Sequence, residues 1–600
     1  MKSKYLYILI SAIVISITGC ERDLELYPLT QLSLGSFFKN EADFKMYTNR
    51  FYEFLPAHGA IHRDEDADIT FNSSAVSNGT YIPGPTSSFY NGSYDQIRAI
   101  NELLEAVEKV EDESLKESVQ VYKGEALFFR AYKYWLLYRD YGGVIIVDRP
   151  LGVEDELLYS ARNTREEVTD FILNDLDEAL KTPVGTLSGP ENVGRISREA
   201  VLALKARVAL FEGTWAKYHG TGADYNNYLQ QAIDASEQIL DEDKYELFDR
   251  RDVLGEESYR YYFTLEYDRK SNPAGLTKAD QNETILATIF DQTLRSYSGM
   301  VVMQWPRLSP TRKMMDMYLD ESGLPIAHAS SVFEGYQTVI SDDKMVGVNH
   351  EFEKRDPRMR LNTIQPLQHF WYHVPYQRDF TETDEELLGT GQFHNGWNSQ
   401  SRTGYGVWKW CTEIAKPYAN DYPIIRLAEV MLIYAEATFE KNGAISDEEL
   451  NKSINKLRLR VGMPVLNNQF ITDNGLDMLS EIRRERAVEL FAEGFRYDDI
   501  RRWKIADDVM AKDVKGMKWG GTIFEDTYEI FDPAVEQQVV EIDNRNAHSY
   551  ELDGDGFVIV EAAAIRNWEA KHYLKPLPLQ ELQVNENLKQ NPGWISVVTE

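Results

Sequence analysis

Cysteine is nearly missing from this chain: its 600 residues hold two, Cys20 and Cys411. A disulfide framework is therefore excluded, and stability must come from packing. Positive charge is also short. Against 97 acidic residues stand 64 basic ones, a net charge of -33 that repels phosphate backbones and excludes nucleic acid as a partner. It equally argues against binding an anionic membrane through a basic patch. Zinc-spaced His/Cys clusters, a phosphate loop and a dinucleotide fingerprint are all absent, so neither a metal nor a cofactor is expected. The ten histidines offer only His58 and His62 at helical spacing, which does not make a site.

Long apolar runs are lacking too, with one exception at the start. "MKSK" supplies the charges of Lys2 and Lys4, and "YLYILISAIVISI" follows as a run of thirteen residues. A bilayer span takes about 20 residues, so this run reads as an export signal over residues 1–19. It ends in "TGC", which looks like the lipobox of bacterial lipoproteins and marks Cys20 for lipidation. Residues 20–40 then form a lipidated leader and 41–600 one body, with a helical-repeat part (41–250), a loop-rich part (251–420) and a helical part with a tail (421–600).

What is plentiful is amphipathic helix. "YDQIRAINELLEAVEKV" places Ile97, Ile100, Leu104 and Val107 on one face. "SVQVYKGEALFFRAYKYWLLYRDYGG" is a long aromatic helix stopped by Gly142 and Gly143. "NTREEVTDFILNDLDEAL" opens on a cap at Asn163 or Thr164, with acids just behind it, and stops before Pro183. "SREAVLALKARVALFEGTWAKY" and "YNNYLQQAIDASEQIL" form a further pair, in which Ala200, Ala203, Ala206 and Ala209 let helices approach closely. Pairs of about 34 residues resemble tetratricopeptide repeats, whose apolar faces are covered by stacking. The predicted fold is mainly α, with an irregular loop-rich face and a few short strands.

From 250 to 420 Gly, Asn, Ser, Pro and aromatics take over, and Trp371, Trp397, Trp408 and Trp410 fall within forty residues of one another. Helices resume at "YPIIRLAEVMLIYAEATFEKNG" and "SDEELNKSINKLRLRVGMP", the latter with a capping box from Ser446 to Glu449. In "DMLSEIRRERAVELFAEGFRYDDIRRWK", Leu479, Ile482, Leu490 and Phe491 mark one face and Glu481, Arg484, Glu485 and Glu489 the other. Acids and arginines three or four apart pair along a helix for about 0.2–0.5 kcal/mol each. Gly494 turns the chain, and a second helix starts at Asp498 and Asp499. Every charge has a structural task, and the single-sided stripe does not supply two carboxylates converging across a cleft. "DGDG" at 553–556 reads as a hairpin turn.

"ERAVELFAEGFRYDDIRRWK" resembles the C-terminal signature of the SusD/RagB family of outer-membrane lipoproteins. "RLAEVMLIYAEA", "EALFFRAYKYWLLYRDYGGVIIV", "GRISREAVLALKARVAL", "SPTRKMMDMYLDESGLPI", "KRDPRMR" and "YLKPLPLQELQVNENLKQNPGW" also fit that family, in order, over nearly all of the mature chain. The resemblance implies a superhelix of tetratricopeptide-like pairs, lipid-anchored at the outer membrane and facing outward. It implies no catalysis: such a protein captures glycan and delivers it to a partner TonB-dependent transporter of the SusC type. A peptide-binding relative and a surface glycoside hydrolase are the alternatives, and a lid whose partner makes the ligand contacts is a third.

Sugar rings present apolar C–H faces that aromatic side chains stack against, while Asn, Asp, Arg and Gln bond the hydroxyls. In the family these contacts come from the loop before the first long helix and from the middle loops. Here the first offers Tyr81, Phe89 and Tyr90 beside Asp64, Asp66, Asn72 and Asn78; the second offers Tyr297, Trp305 and Trp371 beside Arg295 and Gln304. Many relatives carry tryptophan where Phe89 or Tyr90 stands, a departure from a starch-type arc. Trp408 and Trp410 alternate in a strand-like stretch and belong to the core, as do Trp135, Trp215 and Trp503 on helices. Asp64, Asp66 and Asp68 alternate as in a calcium loop, yet Ile69 stands where that loop needs glycine. "SINK" at 453–456 has serine–lysine spacing without its companion motifs.

Overall fold

The computed structural model describes residues 37–58, 60–267, 269–297, 308–336, 338–340, 347–365, 369–370, 378–379, 386–387, 392–393, 402–414, 417–522, 529–532, 537–541 and 551–596. The expected export signal, Cys20, most of the expected leader, Gln304, Trp305, Trp371 and Trp397 lie outside the described residues.

The protein is mainly α. A first helix, α1 (Glu41–Asn49), precedes the long ones: α2 (Ser88–Glu108), α3 (Gln120–Tyr141), α4 (Arg165–Leu180), α5 (Arg198–His219) and α6 (Tyr225–Asp241). Each of α2 to α6 packs on the next, and α7 (Leu427–Asn442) docks on α6 across almost two hundred intervening residues. The physical signals for these helices are local. Thr164 caps α4 and Glu167 closes the capping box; Ser197 caps α5, which ends on Gly220 in the left-handed region; Ile97, Ile100, Leu104 and Val107 all face inward from α2. Gly143, just past α3, lies so close to the carbonyl of Asn163 that a Cβ there would come within 2.1 Å of it, so any side chain would push these segments apart.

The helical expectation needs correcting at two places. "YPIIR" is a strand, β2 (Tyr422–Arg426), antiparallel to β1 (Thr284–Thr288), and α7 starts only at Leu427. The "SDEELNKSINKLRLR" helix is broken at Ser453 into α8 (Asp447–Lys452) and α9 (Ile454–Arg460), with the Ser446–Glu449 capping box in place. Beyond α10 (Met478–Glu489) and α11 (Arg496–Arg502), the tail pairs β3 (Val514–Lys518) with β5 (Phe557–Glu561), and β4 (Glu551–Leu552) closes the expected hairpin on β5. One hydrophobic cluster runs from Phe44 to Leu577 and takes in Trp135, Trp215 and Trp410; Trp408 and Trp503 are buried too.

The charged stretch is scaffold, but of another kind than a solvated helix face. Glu481, Glu485 and Glu489 are buried, as are Arg486, Asp499, Arg501 and Arg502. Glu489 binds Arg426 at 2.8 Å, Arg460 at 2.5 Å and Arg358 at 3.1 Å; Glu485 lies between Arg358 at 2.5 Å and Arg458 at 3.0 Å. Arg502 joins Glu436 and Asp499, and Arg486 joins Asp499. Burial disfavours the charge on Glu489, yet its three arginines hold it well below the usual carboxylate range. Glu283 adds to this by binding Arg426 at 2.8 Å and Arg460 at 3.0 Å, so these ions bolt α7, α10, α11 and the segments around Glu283 and Arg358 together.

Candidate ligand-binding face

The loop before α2 is pinned by the tail. Asn567 donates its N–H to the carbonyl of Asn78 at 2.7 Å, and the amides of Leu579 and Gln580 bond the carbonyls of Gly84 and Pro85 at 3.1 and 2.9 Å. Gly79, at φ +75°, lies so close to Asn567 that a Cβ would fall 2.2 Å from its carbonyl oxygen. This clamp sets the rings that follow. Ser87 caps α2 through the Tyr90 amide, which places Phe89 in the first turn, 37% exposed and nearly parallel to Tyr141 with centroids 6.3 Å apart. Tyr81 is half-buried and meets the edge of Trp594 at 6.2 Å. Trp594 is itself half-buried, its indole N–H held by the carbonyls of Lys571 and Leu574 at 3.0 Å each. This ring is not among the candidate sugar contacts of the sequence; its signal there is the closing "NPGW".

Not every expected residue faces outward. Tyr90 is 4% exposed, packed on Tyr94 and Tyr141: one helical residue turns about 100° from the last, so Phe89 outside puts Tyr90 inside. Asp64 is fully buried and accepts the amides of Gly494 and Arg496 at 2.9 and 3.2 Å. It fastens the loop to the turn before α11 instead of facing a ligand. Burial pushes its carboxyl up to about 7; the two amides oppose the shift, and Glu493 and Asp499 add to it. Asp66 accepts the hydroxyl of Ser74 at 2.5 Å, and Asp68 binds Arg496 at 2.8 Å and Lys313 at 2.5 Å. Asn72 is half-buried and donates to Glu65 at 2.7 Å.

The second group gathers around Tyr297. Its ring stacks on His58 with centroids 4.1 Å apart, its hydroxyl donates to Asn420 at 2.7 Å, and its backbone bridges Tyr418. Burial, before all other influences, lowers His58 to about 4, so the imidazole is neutral. Arg295 is exposed, with its guanidinium over Phe290 at 4.9 Å, and borders a groove of about 260 Å³ with Val193 and Thr288. A larger cavity of about 370 Å³ is lined by Phe89 from the first group and by Tyr422, which His58 meets edge-on at 5.5 Å.

Glu334, His350 and Glu353 are the trio that the described residues bring within metal-binding reach of one another. Lys354 and His350 already engage Glu334.

Frame and face define a class: a helical-repeat protein whose clamped loops hold aromatic rings and amide groups at the surface. The sequence profile of the SusD family matches residues 263–594. A second profile, described as starch-binding and associating with the outer membrane, matches residues 45–210. The chain belongs to the SusD/RagB family. A SusD-like protein of Formosa agariphila is 24% identical over 530 residues, 82% of this chain and 90% of that one. Among solved structures, a SusD-like protein from Bacteroides fragilis superposes with a TM-score of 0.66 at 22% identity, covering 93% of this chain and 98% of that one. A SusD-like carbohydrate binding protein from Bacteroides fragilis gives 0.64 at 19% identity, covering 92% and 100%. No helix among the described residues is long and apolar enough to cross a membrane.

Proposed function

We propose that this protein is a non-catalytic glycan receptor, anchored through lipidated Cys20 to the outer membrane and facing the exterior. It captures oligosaccharide and hands it to a TonB-dependent transporter of the SusC type. Phe89, Tyr81 and Trp594 supply the rings that stack on sugar C–H faces, while Asn72 from the loop before α2 and Arg295 and Tyr297 from the middle loops are the polar candidates. One observation carries the reading: Phe89 stands exposed beside Tyr141 in the first turn of α2, directly after a loop that the tail clamps at Asn78 and at Gly84 and Pro85. A ring held this rigidly loses little entropy on binding. The family membership and the carbohydrate-binding Bacteroides fragilis neighbour support the same reading.

The test is calorimetry on residues 21–600 against a panel of neutral oligosaccharides, with the ligand recovered and checked for cleavage. At least one should bind and come back intact, and Phe89→Ala or Trp594→Ala should weaken it about tenfold, the equivalent of about 1.4 kcal/mol. Failure of the whole panel to bind, or variants that bind like the parent, would overturn the proposal.

A further inference from the structure

Three lysines are buried among the described residues, and two of them are fully partnered. Lys409 reaches Glu493 at 2.7 Å and the carbonyls of Glu489 and Phe491; Lys278 reaches Asp421 at 2.6 Å and the carbonyl of Phe290. Lys133 is the exception. It lies 5% exposed in the middle of α3, with no hydrogen bond or ion pair to any described residue, and its ammonium has only the ring of Phe54 at 5.5 Å. Burial alone lowers it, to about 8, and no neighbouring carboxylate offsets the shift.

Lys133 lines the cavity of about 370 Å³. So do Tyr132, Leu136 and Arg139, which fall on the same stripe of α3 by their three- and four-residue spacing. Arg139 is loosely held: its Nε makes no hydrogen bond and meets Asp140 only at 3.5 Å, its Nη1 meets Asp498 at 3.5 Å, and both carboxylates are held more closely by Arg63. Arg486, also on the lining, binds Asp499 at 2.9 Å through Nε and leaves a buried Nη1 without a hydrogen bond. The carboxylates that also line this hollow are already held, Glu493 by Lys409 and Arg426, Asp498 by Arg63 and Arg501, and Asp499 by Arg486 and Arg502, so in a chain of net charge -33 Lys133 is left there unpaired, which is costly. Trp135 and Phe211 add aromatic wall, and the volume falls in the range of small-molecule sites.

We propose that this cavity is a binding site for an acidic sugar unit, whose carboxylate or sulfate is taken by Lys133 and Arg139 while its ring lies against the aromatic wall. An oxyanion would give the Lys133 ammonium a charged partner and compete with Asp140 and Asp498 for the loosely held Arg139 guanidinium. Phe89, exposed at the surface, also lines the cavity, so an oligosaccharide on the outer face could place an acidic residue inside. Binding of free monosaccharides tests the cavity apart from that outer face.

The experiment is calorimetry on residues 21–600 with D-glucuronate and glucose 6-sulfate as probes, and glucose and inorganic sulfate as comparisons. At least one acidic sugar should bind at least tenfold more tightly than either comparison. Lys133→Met and Arg139→Gln should each weaken it tenfold or more, and Lys512→Ala, an exposed substitution, should leave it unchanged. Folding is checked by melting. Lys133→Met removes an unpaired charge and should melt at or above the parent temperature, while the sugar should raise the melting point of the parent and not of this variant. Absence of binding by both acidic sugars, equal binding of glucose or of sulfate, or a Lys133→Met protein that binds like the parent would overturn it. Neutral oligosaccharides report on the outer face and acidic monosaccharides on the cavity, so each reading can fail without the other.

Discussion

Glu489 is the sharpest place to measure what the buried ions contribute. Its carboxylate is wholly buried and receives three guanidinium groups: Arg426 and Arg460 on one oxygen, Arg358 on the other. Glu489→Gln keeps the shape and removes the charge. Arg358 would retain Asp356 and Glu485, and Arg426 would retain Glu283 and Glu493, but Arg460 would be left with Glu283 alone at 3.0 Å. Removing one partner of a buried pair costs about 3–5 kcal/mol because the remaining charge stays desolvated. A solvated i,i+4 pair, which is how this helix reads from its spacing, contributes about 0.2–0.5 kcal/mol. The two readings differ about tenfold, well beyond the error of a urea titration followed by tryptophan fluorescence. Lys512→Ala is the comparison: it breaks an i,i+4 pair with Asp508 in which both side chains are about two-thirds exposed, and should cost no more than about 0.5 kcal/mol. A loss below about 1 kcal/mol for Glu489→Gln would refute the reasoning.

Two further outcomes follow from single residues. Asp64 titrates near 7 in the folded protein against 3.8 ordinarily, so between those values the folded state holds a proton that the unfolded state has lost. Its contribution to stability therefore falls as pH rises through that window, and the full penalty is present above about 7. The stability of Asp64→Asn relative to the parent should rise from pH 5 to pH 8 in urea titrations, whatever the variant loses by setting an amide NH2 against the Gly494 or Arg496 N–H, and a pH-independent difference would contradict this placement of the charge. Cys20→Ser should move the protein from the membrane to the soluble fraction on cell fractionation; retention in the membrane would exclude the proposed anchor.

Most of the frame was legible because its determinants are local. Thr164 with Glu167, and Ser446 with Glu449, sit within one helical turn of each other, and the inward stripe of α2 repeats every three or four residues. What stayed hidden was set by partners far away in sequence. Tyr422–Arg426 is a strand because Thr284–Thr288 lies beside it, and no propensity within "YPIIR" records that neighbour. The acids of α10 look like a wet face until Arg358 and Arg426 arrive from distant segments to bury them. The face was legible only as a neighbourhood: Phe89 and Tyr90 are adjacent aromatics of similar size, and their opposite fates follow from how α2 is rotated against Tyr141. That rotation is a packing outcome of the Ser87 cap and the clamp at Gly79. Lys133 makes the same point from the other side. In the sequence it is one lysine in an aromatic helix, and only the cavity beside it, with no carboxylate in reach, turns it from a charge to be solvated into a charge that awaits a ligand.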